Sequence, residues 1–148
     1  MHTPASIHGH PIHPMLVPIA IGCWVFSFVA DLICLATGNT APWQMLAYYT
    51  MIGGIIGALA AALPGLVDLI SLPPVPVKRT AFTHMGLNLT IVALYVCNAF
   101  MRHGNPEKLT SAIGLSALTV VMLLASGWLG GKMVFEAGVG VNGTTPPR

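Results

Sequence analysis

PMLVPIAIGCWVFSFVADLICLAT, residues Pro14–Thr37, holds a single charged residue, Asp31. A helix needs about 20 apolar residues to cross the hydrocarbon core of a bilayer, so this stretch is long enough to span it. Three more runs of the same kind follow: Trp43–Leu72, Thr80–Met101 and Leu109–Phe135. Turn-forming residues separate them, at Gly38-Asn39-Thr40-Ala41-Pro42, Pro73-Pro74-Val75-Pro76 and His103-Gly104-Asn105-Pro106. The expected fold is an all-α integral membrane four-helix bundle, one transmembrane domain over residues 1–148.

Composition points the same way. Of the 148 residues, 55% are hydrophobic and only 7% charged, against about 25% charged in soluble domains. Four acids and six bases cannot cover a water-facing surface of this size. The net charge of +2 comes without a basic patch or aromatic-basic interleaving, so nucleic acid is not an expected partner. The first 13 residues carry no Lys or Arg, unlike the basic start of a secretory signal, and the first helix is expected to be retained. Cys23, Cys34 and Cys97 all fall in apolar runs with no C-x-x-C spacing. They read as small buried hydrophobes rather than as a disulfide or haem-attachment set.

Alternation across the bilayer gives the bundle two ends. The X end holds the N-terminus, Lys78, Arg79, Lys132 and Arg148, and the Y end holds Arg102 and Lys108. The excess of bases predicts that X is cytoplasmic.

Polar residues inside the runs are ordered. His84, Asn88, Ile91, Tyr95, Asn98 and Arg102 follow the i, i+4, i+7 spacing of one helical face, and so do His13, Val17, Ala20, Trp24, Ser27 and Asp31. Lipid cannot satisfy such groups, so both faces should point into the bundle. Both intervals, His13 to Asp31 and His84 to Arg102, are 18 residues, or about 27 Å of helix. The histidines should therefore lie level near X, and Asp31 and Arg102 should pair near Y. Gly53, Gly57, Ala61 and Gly65 recur every fourth residue, and Gly127 and Gly131 repeat the spacing. Such faces suit close helix packing, or a flat ring resting on glycine.

The X end gathers His8, His10, His13, His84 and Asp68. Neutral imidazoles held in fixed geometry suit a metal or haem iron. One reading is a small cytochrome b-like protein engaged in electron transfer, with one haem b between the first and third helices. His13 and His84 would be its axial ligands, with His10 the substitute for His13. Asp68 would orient a ring from behind, Asn88 lies one turn from His84, and Arg79 or Lys78 would meet the propionates. The alternative is a Zn, Cu or Fe ion held by His8, His10, His13 and His84 with Asp68. A ligand-free structural subunit is the third reading. No nucleophile elbow, phosphate loop or metalloprotease motif is present, so a binding or electron-transfer role is expected over a stand-alone enzyme.

Ile7-His-Gly-His-Pro-Ile-His-Pro14, Gly22-Cys-Trp24-Val-Phe-Ser27 and Ala30-Asp31 resemble the bacterial membrane family catalogued as domain of unknown function 2231. So do Ala61-Ala-Leu-Pro-Gly65-Leu-Val-Asp68, His84 with Asn88, and Gly127-Trp-Leu-Gly-Gly131 with Gly138-Val-Gly-Val141. The resemblance spans nearly the whole chain. It implies a four-helix protein of the bacterial inner membrane. Relatives joined to Rieske iron–sulfur or c-type cytochrome domains imply redox work. The expected electron partner is accordingly a quinone or a separate Rieske or c-type cytochrome protein, and a homodimer is compatible with the small-residue faces.

Overall fold

The computed structural model describes residues 3–38, 40–72, 76–103 and 108–141. A two-residue hairpin, β1 (Ser6–Ile7) against β2 (His10–Pro11), leads into four helices. They are α1 (Ile12–Thr37), α2 (Thr40–Ser71), α3 (Val77–Arg102) and α4 (Leu109–Phe135). All four are long and apolar enough to cross a membrane.

The helix limits follow from local chemistry. α1 starts two residues earlier than its apolar run because Pro11 caps it in an extended conformation. Pro14 then falls in the first turn, where the missing N–H has no intrahelical acceptor to lose. Gly38 ends the helix in the left-handed region (φ 65°), donating its N–H to Cys34 O at 3.1 Å. α2 and α3 each begin three residues before their apolar runs, at Thr40 and Val77, and α4 has the limits of its run.

The burial pattern is that of a protein solvated by lipid. Ser27, Asp31, Asn98, Ser116, Thr119 and Ser126 are buried, whereas Leu63, Ile70, Phe100, Leu124 and Trp128 stand exposed. Exposed apolar surface on this scale fits a hydrocarbon solvent and not water. The chain is a multi-pass membrane protein in a lipid bilayer.

α1 packs most extensively on α2, and α3 on α4. The first and third helices, whose polar faces were expected to meet inside the bundle, are joined by side chains and not by extensive backbone packing. Side chains cross the centre instead. The Trp24 and Tyr95 rings stack at 4.5 Å with planes 12° apart. Around them lie Ala20, Met51, Ile55, Ile91, Ala99 and Leu123.

Glycine explains why the first helix pair is the tighter. A Cβ at Gly57 would come within 3.3 Å of Ala20 N, and one at Gly54 within 2.4 Å of the Trp24 indole. Gly53, Gly57, Ala61 and Gly65 thus form a packing face toward α1. The expectation fails for Gly127 and Gly131. Gly127 has open space where a Cβ would go, and Gly131 touches only Phe135 of its own helix. The glycine of α4 that faces another helix is Gly130.

Candidate functional site

Each helix pair is tied at both ends by a side chain donating to a backbone carbonyl of its neighbour. In the first pair, Ser27 Oγ donates to Ala47 O (2.7 Å) and His13 Nδ1 to Ala61 O (2.7 Å). In the second, Asn98 Nδ2 donates to Ala112 O (2.8 Å) and His84 Nδ1 to Ser126 O (3.0 Å). These bonds obey one rule. Each α3 donor lies 71 positions after its α1 counterpart, and each α4 acceptor 65 positions after its α2 counterpart.

The same offsets relate the remaining central contacts. His13 lies on Gly65, where a Cβ would be 2.7 Å from Nδ1, and His84 lies by Gly130, where a Cβ would be 3.4 Å from Cε1. Trp24 rests on Gly54, and Tyr95 lies beside Thr119. Trp24 with Tyr95, and Asp31 with Arg102, are counterparts that meet each other. The hairpins α1–α2 and α3–α4 are thus two copies of one plan. α1 and α3 run in the same direction, so the relation is an approximate twofold along the bundle axis. Sequence reasoning noted the matching 18-residue intervals but not the repeat they belong to.

The X end carries the histidines. A carbonyl oxygen can only accept, so each Nδ1 carries a proton, and in the neutral ring Nε2 is the nitrogen with the lone pair. The two rings come from equivalent positions of opposite halves. Ala61 O is next to the carbonyl of Ala60, which Pro64 leaves without its helical donor. Asn88 Nδ2 contacts Ser126 Oγ (2.7 Å), His84 O (2.8 Å) and His84 Nε2 (3.2 Å).

Other expected members stand elsewhere. His8 and His10 are exposed on the hairpin, with His8 in its turn at φ 50°. Asp68 is buried but does not orient an imidazole; its Oδ1 accepts the Ala5 N–H at 3.0 Å. That bond fixes the N-terminal segment over the X end, together with Ile12 N donating to Ala5 O (2.9 Å) and Gly140 against Pro11. Arg79 is exposed and Lys78 half-buried at the start of α3. Among the described residues no three His, Cys, Asp or Glu side chains converge as metal ligands. The expected ion site of four histidines with Asp68 is thus not assembled among the described residues: His8 and His10 stand exposed on the hairpin, and Asp68 accepts from Ala5 N. Sequence reasoning missed Ser126, because a lone serine in an apolar run has no distinctive signature.

The Y end is closed by charge. Arg102 Nη1 and Nη2 donate to Asp31 Oδ1 and Oδ2 at 2.6 and 2.7 Å, and the two side chains are only 5% and 1% exposed. Arg102 Nε donates to Asn98 Oδ1 (2.8 Å) and Nη2 also to Ser116 Oγ (3.1 Å). The expected pair is present, with hydrogen bonds that satisfy most of the remaining donors.

A family described as a predicted membrane protein, DUF2231, matches residues 9–143. The chain belongs to this family. The match takes in all four helices and both ends of the bundle, so the DUF2231 assignment and the four-helix fold agree. Comparison with curated proteins gives no match, and neither does comparison with solved structures.

Proposed function

We propose that His13 and His84 form a two-imidazole ligand site on the pseudo-twofold axis, and that its ligand is a b-type haem. One observation carries this reading. Both imidazoles are anchored in the same way, Nδ1–H to a carbonyl of the neighbouring helix, at positions equivalent in the two halves. Equivalent anchoring sets the two Nε2 lone pairs at one depth, and such a bond is how ligating histidines are oriented. The residues fit the group in two further respects. Gly65 and Gly130 let the rings settle back onto the helices behind them. Asn88 can leave His84 Nε2 and still keep its shorter bonds to Ser126 Oγ and His84 O. A metal ion of the zinc type would want four ligands, and two are at hand.

His13 and His84 would hold the haem, and a bound haem would supply one-electron redox chemistry suited to electron transfer. The protein's part is to hold both rings in one tautomer and to cover them with the N-terminal segment. Arg79 and Lys78 lie at the X surface, where propionates would emerge. Electron exchange would be with a quinone or a separate Rieske or c-type cytochrome protein. We place the protein in a bacterial inner membrane with X cytoplasmic. Arg102 is consumed in a buried pair, which leaves Lys108 as the Y-end base against Lys78, Arg79 and Lys132 at X among the described residues.

The test is a visible spectrum of protein purified in mild detergent from haem-replete cells. We expect a Soret band that sharpens on dithionite reduction and is lost in His13→Ala and in His84→Ala. A colourless protein overturns the proposal, and stoichiometric metal in that preparation would point to an ion instead.

A further inference from the structure

The twofold plan is broken at the Y end. Counterparts there differ in chemistry: Asp31 against Arg102, Gln44 against Leu109, and Tyr48 against Ile113. The polar groups fall on the α2 side, and a cavity of about 260 Å³ opens among them. Gln44, Tyr48, Arg102 and Leu109 line it, with Met45 and Tyr49 exposed at its edge.

We propose that this cavity binds a small, neutral, flat ring compound bearing carbonyl acceptors, of the quinone class. The donors call for an acceptor. Arg102 uses its Nε–H, one Nη1–H and both Nη2 hydrogens on Asn98, Asp31 and Ser116. The second Nη1–H has no partner among the described residues, and neither do the Gln44 amide and the Tyr48 hydroxyl. The charge calls for a neutral ligand. Asp31 already neutralises the guanidinium, so an anion would meet the carboxylate of the same network without a surplus positive charge to hold it. The walls call for a ring: Tyr48 and Tyr49 both line the cavity and lie edge-on to each other at 5.7 Å. This site is about 27 Å from the histidine level, by 18 residues of helix; it takes up the quinone partner named above, and its binding is measured whether or not haem is held at the X end.

The experiment is isothermal titration calorimetry of the full chain in detergent with a water-soluble, short-tailed benzoquinone. We expect saturable one-to-one binding. Gln44→Leu combined with Tyr48→Phe removes two donors outside the Asp31–Arg102 network and should weaken binding about tenfold or more, with the melting temperature checked in parallel. Lys132→Ala, at an exposed X-end residue outside both sites, should bind as the wild type does. Heat of non-saturable partitioning only, or equal affinity in the double variant, overturns the proposal. Saturable binding of inorganic phosphate or a short-chain phosphatidic acid in place of the quinone also overturns it.

Discussion

The X and Y ends of this bundle are built from equivalent positions of the same two helices, and they use them in opposite ways. At Y the counterparts are of opposite charge. Asp31 and Arg102 satisfy each other, and Asn98 and Ser116 take up further donors. At X the counterparts are identical. His13 and His84 cannot satisfy each other in this way, so each turns its Nδ1 to a backbone carbonyl, and His84 Nε2 faces the Asn88 amide. Complementary side chains at equivalent positions close an end of a bundle. Identical ones turn to the backbone of the neighbouring helix instead.

The largest expected effect tests the closed end. Arg102→Leu strands a buried carboxylate and should cost about 3–5 kcal/mol, seen as a lowered melting temperature in detergent. Replacing Asp31 by Leu as well should recover most of that loss. Equal instability of the single and double variants would show that the charges are not what joins α1 to α3 there.

Next come the glycines behind the histidines. Gly65→Ala puts a Cβ 2.7 Å from His13 Nδ1, and overpacking of this kind costs about 1–3 kcal/mol. Gly130→Ala meets His84 Cε1 at 3.4 Å, an accommodating distance. The gain of up to about 1 kcal/mol from replacing a helical glycine should offset it. Melting curves should therefore rank Gly65→Ala well below Gly130→Ala. The reverse order would deny that the first helix pair is the tighter one at X.

A smaller effect probes Asn88. Ser126→Ala removes one of its acceptors, and interhelical hydrogen bonds in membranes average about 0.6 kcal/mol. Denaturation should show a loss of that order, with the Asp31–Arg102 pair unaffected. The least effect belongs to Lys132→Ala. Lys132 and Glu136 are 3.7 Å apart and well exposed, so stability should change by less than about 1 kcal/mol.

Much of the interior was legible from residue spacing. The face His13, Val17, Ala20, Trp24, Ser27, Asp31 and the face His84, Asn88, Ile91, Tyr95, Asn98, Arg102 are the ones that point inward. The reason is that a bilayer offers polar groups no partners, so polar periodicity on a spanning helix marks its inner side. The pairing of Asp31 with Arg102 at Y follows from helical rise. The fate of Asp68 was not legible. Its partner is the N–H of Ala5, and backbone donors look the same at every position of a sequence. His8 and His10 misled for a related reason: proximity in the chain to His13 says nothing about a hairpin that turns them outward.

By itself, the order of residues determined four spanning helices, their inward faces and the two unlike ends, because these depend on hydropathy and on a fixed rise per residue. Tertiary structure decided which helices are neighbours and which carbonyls hold the histidines. Those outcomes depend on how closely two backbones approach. Glycines at 54, 57 and 65 bring α2 against α1, and only once that contact is made does the Ala61 carbonyl lie within reach of His13.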